Sequence, residues 1–319
     1  MVDRVNCILD RERISPMDAY LNPLPELDMV LPGFPIRNVG MIVSPGGTGK
    51  SYLTLSIGAG LAGGIDVAGG IWGAPKEPGK VLLLAWEEDT EAIKQRLHQQ
   101  MMLLSKVRGV PDERLKLIDN NFHIHSMKGD LSTLIDHHGE PGPLAFDLIE
   151  AGQQVDYRLC IVEPLARLHP CDENDNGKMT RLITTAEKIC MEVNASMLFT
   201  HHTSKFATLN GKGDAQQASR GGSGLVDGSR WVVNLQTMTD DEASEYGNSV
   251  SEAHRRSWVR LATSKINNGP PQADKWVRRQ GGVYGGVLCQ DEPALHSVHS
   301  SKLCALTKKN TRNHGKATY

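Results

Sequence analysis

The chain has 319 residues, of which 39% are hydrophobic and 23% are charged, a composition typical of a soluble globular protein. It excludes a disordered chain, a collagen-like chain and a coiled coil. Lys and Arg total 35 against 37 Asp and Glu, for a formal charge of −2, so any contact with nucleic acid must come from local basic patches.

We expect an N-terminal arm over residues 1–36, because five prolines would interrupt any long helix there. Apolar residues between the prolines need a surface to cover them: Leu21, Leu24, Leu27, Met29 and Leu31. We expect an extended segment that packs either on its own core or on a neighbouring subunit.

From residue 39 the pattern changes to short apolar runs alternating with amphipathic segments. Buried strands are predicted at 39–43, 81–85, 159–162 and 197–200. Helices are predicted between them from apolar residues at helical spacing: Leu53, Ile57 and Leu61; Ile93, Leu97, Met101 and Leu104; Leu182, Ala186, Ile189 and Val193. This alternation predicts an α/β fold with a mostly parallel sheet flanked by helices.

Beyond residue 229 the pattern is rich in strands, with runs at 231–235, 258–262 and 276–277 that predict an antiparallel extension at the C-terminal end. We therefore expect one domain over 37–290. The tail 291–319 is basic and poor in apolar residues, which favours disorder, with contact to nucleic acid as the alternative.

The cysteines and the hydropathy bear on the compartment. The six cysteines contain no Cys-x-x-Cys pair, which favours a reducing environment. The longest apolar run, 81–86, is too short to span a bilayer, and residues 1–14 lack the apolar core of a signal peptide. We expect a cytoplasmic protein without a membrane partner.

The sharpest motif follows the first predicted strand and opens a predicted helix, as a phosphate-binding loop requires. Its candidate nucleotide-binding residues are Ser44, Gly46, Gly47, Thr48, Gly49, Lys50 and Ser51. Backbone N–H groups and the helix N-terminus favour phosphate, Lys50 would reach the β- and γ-phosphates, and the Ser51 hydroxyl would bind Mg²⁺. Ser44 stands where such loops usually begin with glycine; a plain glycine-rich turn is the alternative.

Three acids follow the strand at 81–85, at the end where ligands gather in open α/β sheets. We expect Glu87 to be the general base that activates the attacking water. Glu88 and Asp89 are expected to cap the next helix instead.

The run 158–163 has the form of a Walker B strand, four apolar residues followed by an acid. That acid is Glu163, where aspartate is usual. The extra methylene moves the carboxylate by roughly 1.5 Å, so it could still reach Mg²⁺ through water.

Two histidines, His201 and His202, end the strand at 197–200. One of them could donate a hydrogen bond to the γ-phosphate. Neighbouring strand residues point to opposite faces, so only one is expected to meet the nucleotide. A zinc site is the alternative, although no third ligand lies nearby at metal spacing.

The polar segment 203–217 contains Lys205 and Lys212 and predicts a mobile loop. Both lysines suit contact with the phosphate backbone of DNA. The alternative is an ordinary solvated loop.

Together these motifs resemble the RecA-like superfamily 4 helicases, and among them the RepA-type replicative helicases of IncQ-like plasmids. The resemblance covers about residues 28–290. It lies in the segments 43–51, 158–163, 200–205, 214–221, 225–231 and 264–269.

The resemblance implies a homohexameric ring that hydrolyses ATP or another NTP with Mg²⁺ between its subunits and translocates on single-stranded DNA. It also implies a plasmid primase and an origin-binding initiator as partners. The family's roles fall on particular positions: phosphate and metal binding on Lys50 and Ser51, the catalytic glutamate on Glu87, the Walker B acid on Glu163, the γ-phosphate sensor on His202, and the arginine finger of the next subunit on Arg230.

Taken from the residues alone, Arg230 could equally be a strand-end arginine in an ion pair. Two other functions stay open beside the helicase. One is a RecA-like regulatory ATPase that unwinds nothing; the other is a nucleotide-binding module with weak hydrolysis, which Glu163 makes conceivable.

Overall fold

The computed structural model describes residues 12–202, 223–246, 250–280 and 287–290. Lys205, Lys212, the tail 291–319 and the first 11 residues of the arm lie outside the described residues. The expected mobile loop with its lysine contacts and the expected disorder of the tail therefore concern residues outside the described part of the chain.

The described strands in chain order are β1 (Met29–Leu31), β2 (Phe34–Pro35), β3 (Val39–Ser44), β4 (Lys80–Ala85), β5 (Phe122–Ser126), β6 (Tyr157–Glu163), β7 (Ser196–His202), β8 (Trp231–Thr237), β9 (Trp258–Ile266), β10 (Lys275–Gln280) and β11 (Val287–Gln290). Strands β3 to β11 form one sheet in the order β11-β10-β9-β8-β3-β7-β6-β4-β5. The six strands from β8 to β5 in that order are parallel, and β9, β10 and β11 continue the sheet antiparallel.

The described α-helices are α1 (Pro16–Leu21), α2 (Lys50–Gly63), α3 (Thr90–Met102), α4 (Asp112–Asn121), α5 (Pro143–Gln154), α6 (Asn176–Val193), α7 (Ser223–Gly228), α8 (Asp240–Glu245) and α9 (Glu252–Arg255). Helix α3 continues into a π-helical turn, Leu103–Val107. Among the described residues, no helix combines the length and the apolar character that crossing a membrane demands.

Side chains alternate along the parallel strands and build one apolar cluster on each face of the sheet. On one face, Ile42 and Ile161 pack in the cluster that includes Leu53 and Ile57 of α2. On the other face, Met41 and Val162 share a cluster with residues of α5 and α6. Strands buried on both faces are typical of α/β proteins, so the expected fold class is confirmed.

The expected antiparallel extension includes the run at 231–235, but β8 is parallel to β3, with Gly40 opposite Trp231. The long connection from β7, which contains α7, lets the chain return in the same direction. The antiparallel part therefore begins one strand later, at β9.

The arm divides near residue 28. After it, β1 and β2 form an antiparallel hairpin whose Val30, Leu31 and Phe34 are buried in the core. Phe34 stacks on Trp231 with a centroid distance of 5.4 Å. Before it, six large apolar residues stay exposed: Ile14, Met17, Tyr20, Leu21, Leu24 and Leu27.

The buried hairpin yields a prediction about stability. Phe34→Ala removes a fully buried ring from the stack on Trp231, so the free energy of unfolding should fall by about 3–5 kcal/mol. Leu24→Ala, at a residue 91% exposed, should change it by less than about 0.5 kcal/mol. Denaturant unfolding measures both, and equal stability of the two variants would exclude the hairpin from the core.

Candidate functional site

The carboxyl ends of the parallel strands meet at one edge of the sheet and surround a cleft of about 270 Å³. The strand register determines which residues are neighbours at this edge: Ser44 lies opposite His202, and Ala85 lies opposite Glu163. The cleft is lined by Gly47, Gly49, Lys50, Ser51, Tyr52, Glu87, Glu88, Arg96, Glu163, Pro164, Thr200, His202 and Arg279.

The loop between β3 and α2 has the backbone that a phosphate-binding loop needs. Gly47 and Gly49 have φ angles of 73° and 111°, in the left-handed region that favours glycine. Helix α2 begins at Lys50, so its unpaired N–H groups and positive dipole end face the loop. Ser44 is fully buried, and its Oγ accepts a hydrogen bond from Lys50 Nζ at 3.0 Å, so serine at this position adds a partner for the lysine.

The Lys50 ammonium is held at the base of the cleft by backbone oxygens. Its Nζ donates to Ser44 O at 3.2 Å and to Pro45 O at 3.3 Å. Burial lowers the pKa of Lys50 to about 8, while Glu163 and Glu87 act in the opposite direction. A charge kept in so dry a place is stabilised by an anion such as a phosphate.

Ser51 and Glu163 bring hydroxyl and carboxylate oxygens together. Ser51 Oγ donates to Glu163 Oε1 at 2.5 Å, and Thr54 Oγ1 donates to Glu163 Oε2 at 2.9 Å. Burial raises the pKa of Glu163, and the two hydroxyl hydrogen bonds oppose that rise. Hard oxygen donors in a carboxylate-hydroxyl pair fit Mg²⁺, whose charge would offset the burial of Glu163. The buried Thr200 Oγ1 beside them has no hydrogen-bond partner among the described residues.

The three acids after β4 have different surroundings. Glu87 lines the cleft, is exposed, and makes no hydrogen bond or ion pair with a described residue. Asp89 caps α3 as expected, since its side chain accepts from the Ala92 N–H at 2.9 Å. Glu88 is not a cap: its carboxylate pairs with Arg96, which lies almost two turns into α3. Burial raises the pKa of Glu88 and Arg96 opposes it.

The two histidines point in opposite directions, as strand geometry predicts. His202 lines the cleft with Nδ1 3.3 Å from Lys50 Nζ, whereas His201 is buried in the sheet. Within the described parts of the chain, no cluster of three or more His, Cys, Asp or Glu side chains could hold a metal ion, so the zinc alternative lacks a ligand set there.

Arg230 does not reach the cleft of its own chain. Its N–H donates to Val39 O at 2.9 Å, so it lies where β3 begins, while the phosphate loop follows where β3 ends. At 3.3 Å per residue, the two positions are about 16 Å apart. Arg230 is exposed and forms no ion pair with any residue in the described ranges, so the ion-pair alternative has no partner there.

Three cleft residues carry no sequence signal of their own. Arg279 of β10 donates from Nη2 to Gly47 O at 2.5 Å, and burial lowers the pKa of its guanidinium. The Arg96 guanidinium lies 5.1 Å from the centre of the Tyr52 ring. Arg279 follows the loop by 232 positions, and only the turn back through β9 and β10 brings it there.

The geometry of the cleft agrees with the protein family that the chain matches. Residues 8–207, more than half of the chain, match the AAA domain family. The chain belongs to the AAA domain family. The matched segment contains the phosphate loop, Glu87, Glu163 and His202, while Arg230 and Arg279 lie beyond it.

Solved structures share the fold of this AAA domain protein. One is the ATPase domain of G40P, at 15% identity and a TM-score of 0.52, with 80% of this chain and 85% of that chain covered. Another is a DnaB-like replicative helicase described with its interactions with primase, at 15% identity, a TM-score of 0.54, and 80% of this chain covered. The chain spans 58% of that helicase chain.

The pKa of Lys50 gives the cleft a testable pH dependence. Above pH 8 the free AAA domain protein loses the Lys50 proton, whereas a bound triphosphate would restore it, so binding takes up a proton. The Kd for MgATP should therefore rise by up to about tenfold per pH unit above pH 8. Calorimetry in buffers of different ionisation enthalpy measures the uptake. Lys50→Arg stays charged and should show no uptake; equal profiles would refute the assignment.

Proposed function

We propose that this protein hydrolyses ATP or another NTP and uses the energy as a replicative DNA helicase of the plasmid RepA type. The observation that carries the proposal is the convergence of Lys50, Ser51, Glu87, Glu163 and His202 on one cleft. An ammonium, a metal-binding oxygen pair and a free carboxylate are what phosphoryl transfer to water requires.

Each side chain has a distinct part in hydrolysis. Lys50 and the loop N–H groups bind the β- and γ-phosphates, and Ser51 with Glu163 holds Mg²⁺, directly or through water. The metal, when bound, neutralises charge that develops on the phosphate oxygens. Glu87 takes a proton from the attacking water, for which its exposed carboxylate is free. His202, next to Lys50, donates to the γ-phosphate and loses that partner on cleavage.

Arg230 is proposed to act on a neighbouring protomer. It lies at the edge of the sheet opposite its own cleft, so only a second copy packed head to tail can bring it to a nucleotide. Repeated with rotation, this arrangement closes a ring, which the resemblance makes a homohexamer. An arginine finger is worth about 10³–10⁵ in rate, so hydrolysis depends on assembly.

The DNA substrate is proposed on the resemblance and on the shared fold. The matched solved proteins include a replicative helicase, and its description names primase. For this chain we propose translocation on single-stranded DNA, with Lys205 and Lys212 in the ring channel and a plasmid primase and initiator as partners. Six copies of a few lysines would concentrate positive charge there although the chain is nearly neutral.

Strand displacement tests the helicase. The wild-type protein should unwind a forked duplex with ATP and Mg²⁺, and single-stranded DNA should raise its ATP turnover several-fold. Glu87→Gln should still bind nucleotide but lose about 10²–10⁴ in turnover, because the base is gone. ATP turnover that ignores single strands would favour the regulatory ATPase, and full turnover by Lys50→Ala would leave only a binding module.

Subunit mixing tests the shared site. Lys50→Ala and Arg230→Ala should each be inactive, but a mixture should recover activity, because about a quarter of the interfaces in random rings combine an intact cleft with an intact arginine. The matched control is a mixture of Lys50→Ala with Glu87→Gln, in which every subunit has a damaged cleft, so that no interface is intact and no activity should be recovered. Absence of recovery in rings shown by mass to be mixed would rule out action between protomers.

A further inference from the structure

Tyr52 is a cleft residue that no motif explains. It is the third residue of α2, directly after Ser51, and its side chain is half-buried at the wall of the cleft. The proposed hydrolysis uses Lys50 and Ser51, which directly precede it in α2, but gives Tyr52 itself no part.

The Tyr52 ring forms one side of a clamp on Arg96. The guanidinium lies 5.1 Å from the ring centre, the geometry of a cation–π contact. The same guanidinium pairs with the Glu88 carboxylate, and the Arg96 and Glu88 side chains are only 26% and 21% exposed. Neither Glu88 nor Arg96 belongs to the phosphate loop or to α2: Glu88 follows β4, and Arg96 lies in α3. Tyr52 therefore links this ion pair to α2, the helix that follows the phosphate loop.

The contact with Arg96 gives different surroundings to two neighbouring carboxylates that are chemically alike. Glu88 is engaged by Arg96, whereas Glu87 makes no hydrogen bond or ion pair with a described residue and faces the cleft. Arg96 and Glu87 line the same cleft, so a guanidinium that was not held in place would be free to approach Glu87, and Glu88 would be left unpaired in a half-buried position. The choice of base therefore depends on where the guanidinium is held.

We propose that Tyr52 is a positioning residue for hydrolysis: its ring holds Arg96 against Glu88, which leaves Glu87 as the free base. This inference rests on the proposed nucleotide hydrolysis at the same cleft. The proposal places the effect in the aromatic face that contacts Arg96, so we expect the conservative variant Tyr52→Phe to keep the function.

Steady-state hydrolysis of MgATP by Tyr52→Phe, Tyr52→Leu and Tyr52→Met separates the ring from mere bulk. Tyr52→Phe should stay within about twofold of wild type. Tyr52→Leu and Tyr52→Met should lose about fivefold in kcat, the strength of a partly exposed cation–π contact, with KM changed by less than about twofold. A loss confined to KM, or an equal loss in Tyr52→Phe, would overturn the proposal.

A double-mutant cycle shows whether Tyr52 acts through Arg96. In the Arg96→Gln background, adding Tyr52→Leu should change kcat by less than about twofold, because the guanidinium is already gone. Independent effects that multiply in the double variant would overturn the clamp.

Chemical labelling keeps this proposal separate from the proposed function. Phenylglyoxal should modify Arg96 several-fold faster in Tyr52→Leu than in wild type or Tyr52→Phe, measured by mass spectrometry of the peptide. A wild-type protein that protects Arg96 but turns over no nucleotide would refute the hydrolysis and with it any role of Tyr52 there. A wild-type protein that hydrolyses while Tyr52→Leu matches it in labelling and kcat would refute Tyr52 alone.

Discussion

The parallel register of the central strands is the constraint on which the candidate site depends. Because β3, β7, β6 and β4 run the same way, the residues that follow them meet at one edge although they lie far apart in the chain. A shift of the β3–β7 register by one residue would turn His202 into the sheet and bring His201 to the cleft. Burial of both faces of the sheet prevents such a slip, so the hydrophobic core holds the chemistry in place.

The same edge concentrates opposite charges in a small volume. Lys50, Arg96 and Arg279 face Glu87, Glu88 and Glu163 within one cleft. Desolvation penalises the buried members of this set, and the shifts of the pKa values of Lys50 and Glu163 towards their neutral forms express that cost. A triphosphate with its divalent cation adds charges of both signs next to groups that lack full solvation. The cleft is therefore better suited to a triphosphate with its divalent cation than to the triphosphate or the cation alone.

Much of this site could be predicted from the sequence because its residues sit at strand ends marked by local patterns. The phosphate loop is recognised by its glycines. The positions of Glu163 and His202 follow from the apolar strand runs that precede them. Arg279 and the contact between Arg96 and Tyr52 could not be predicted, since they depend on how the sheet turns back and on side-chain direction. The hairpin β1–β2 could be predicted only in part: the apolar residues among the prolines indicate an extended segment that needs a surface to cover it, but not that it forms a hairpin buried in the core of the same chain.

The position of Arg230 relates the cleft of one chain to the packing of several chains. A parallel strand necessarily separates its two ends, and β3 places the phosphate loop at one end and Arg230 beside the other. An arginine at the amino edge cannot serve a cleft at the carboxyl edge of the same sheet, about 16 Å away, without unfolding β8. A second copy packed head to tail would present that amino edge to the cleft. The strand polarity that gathers the site within one protomer therefore also requires a second protomer to complete it, if Arg230 takes part in hydrolysis.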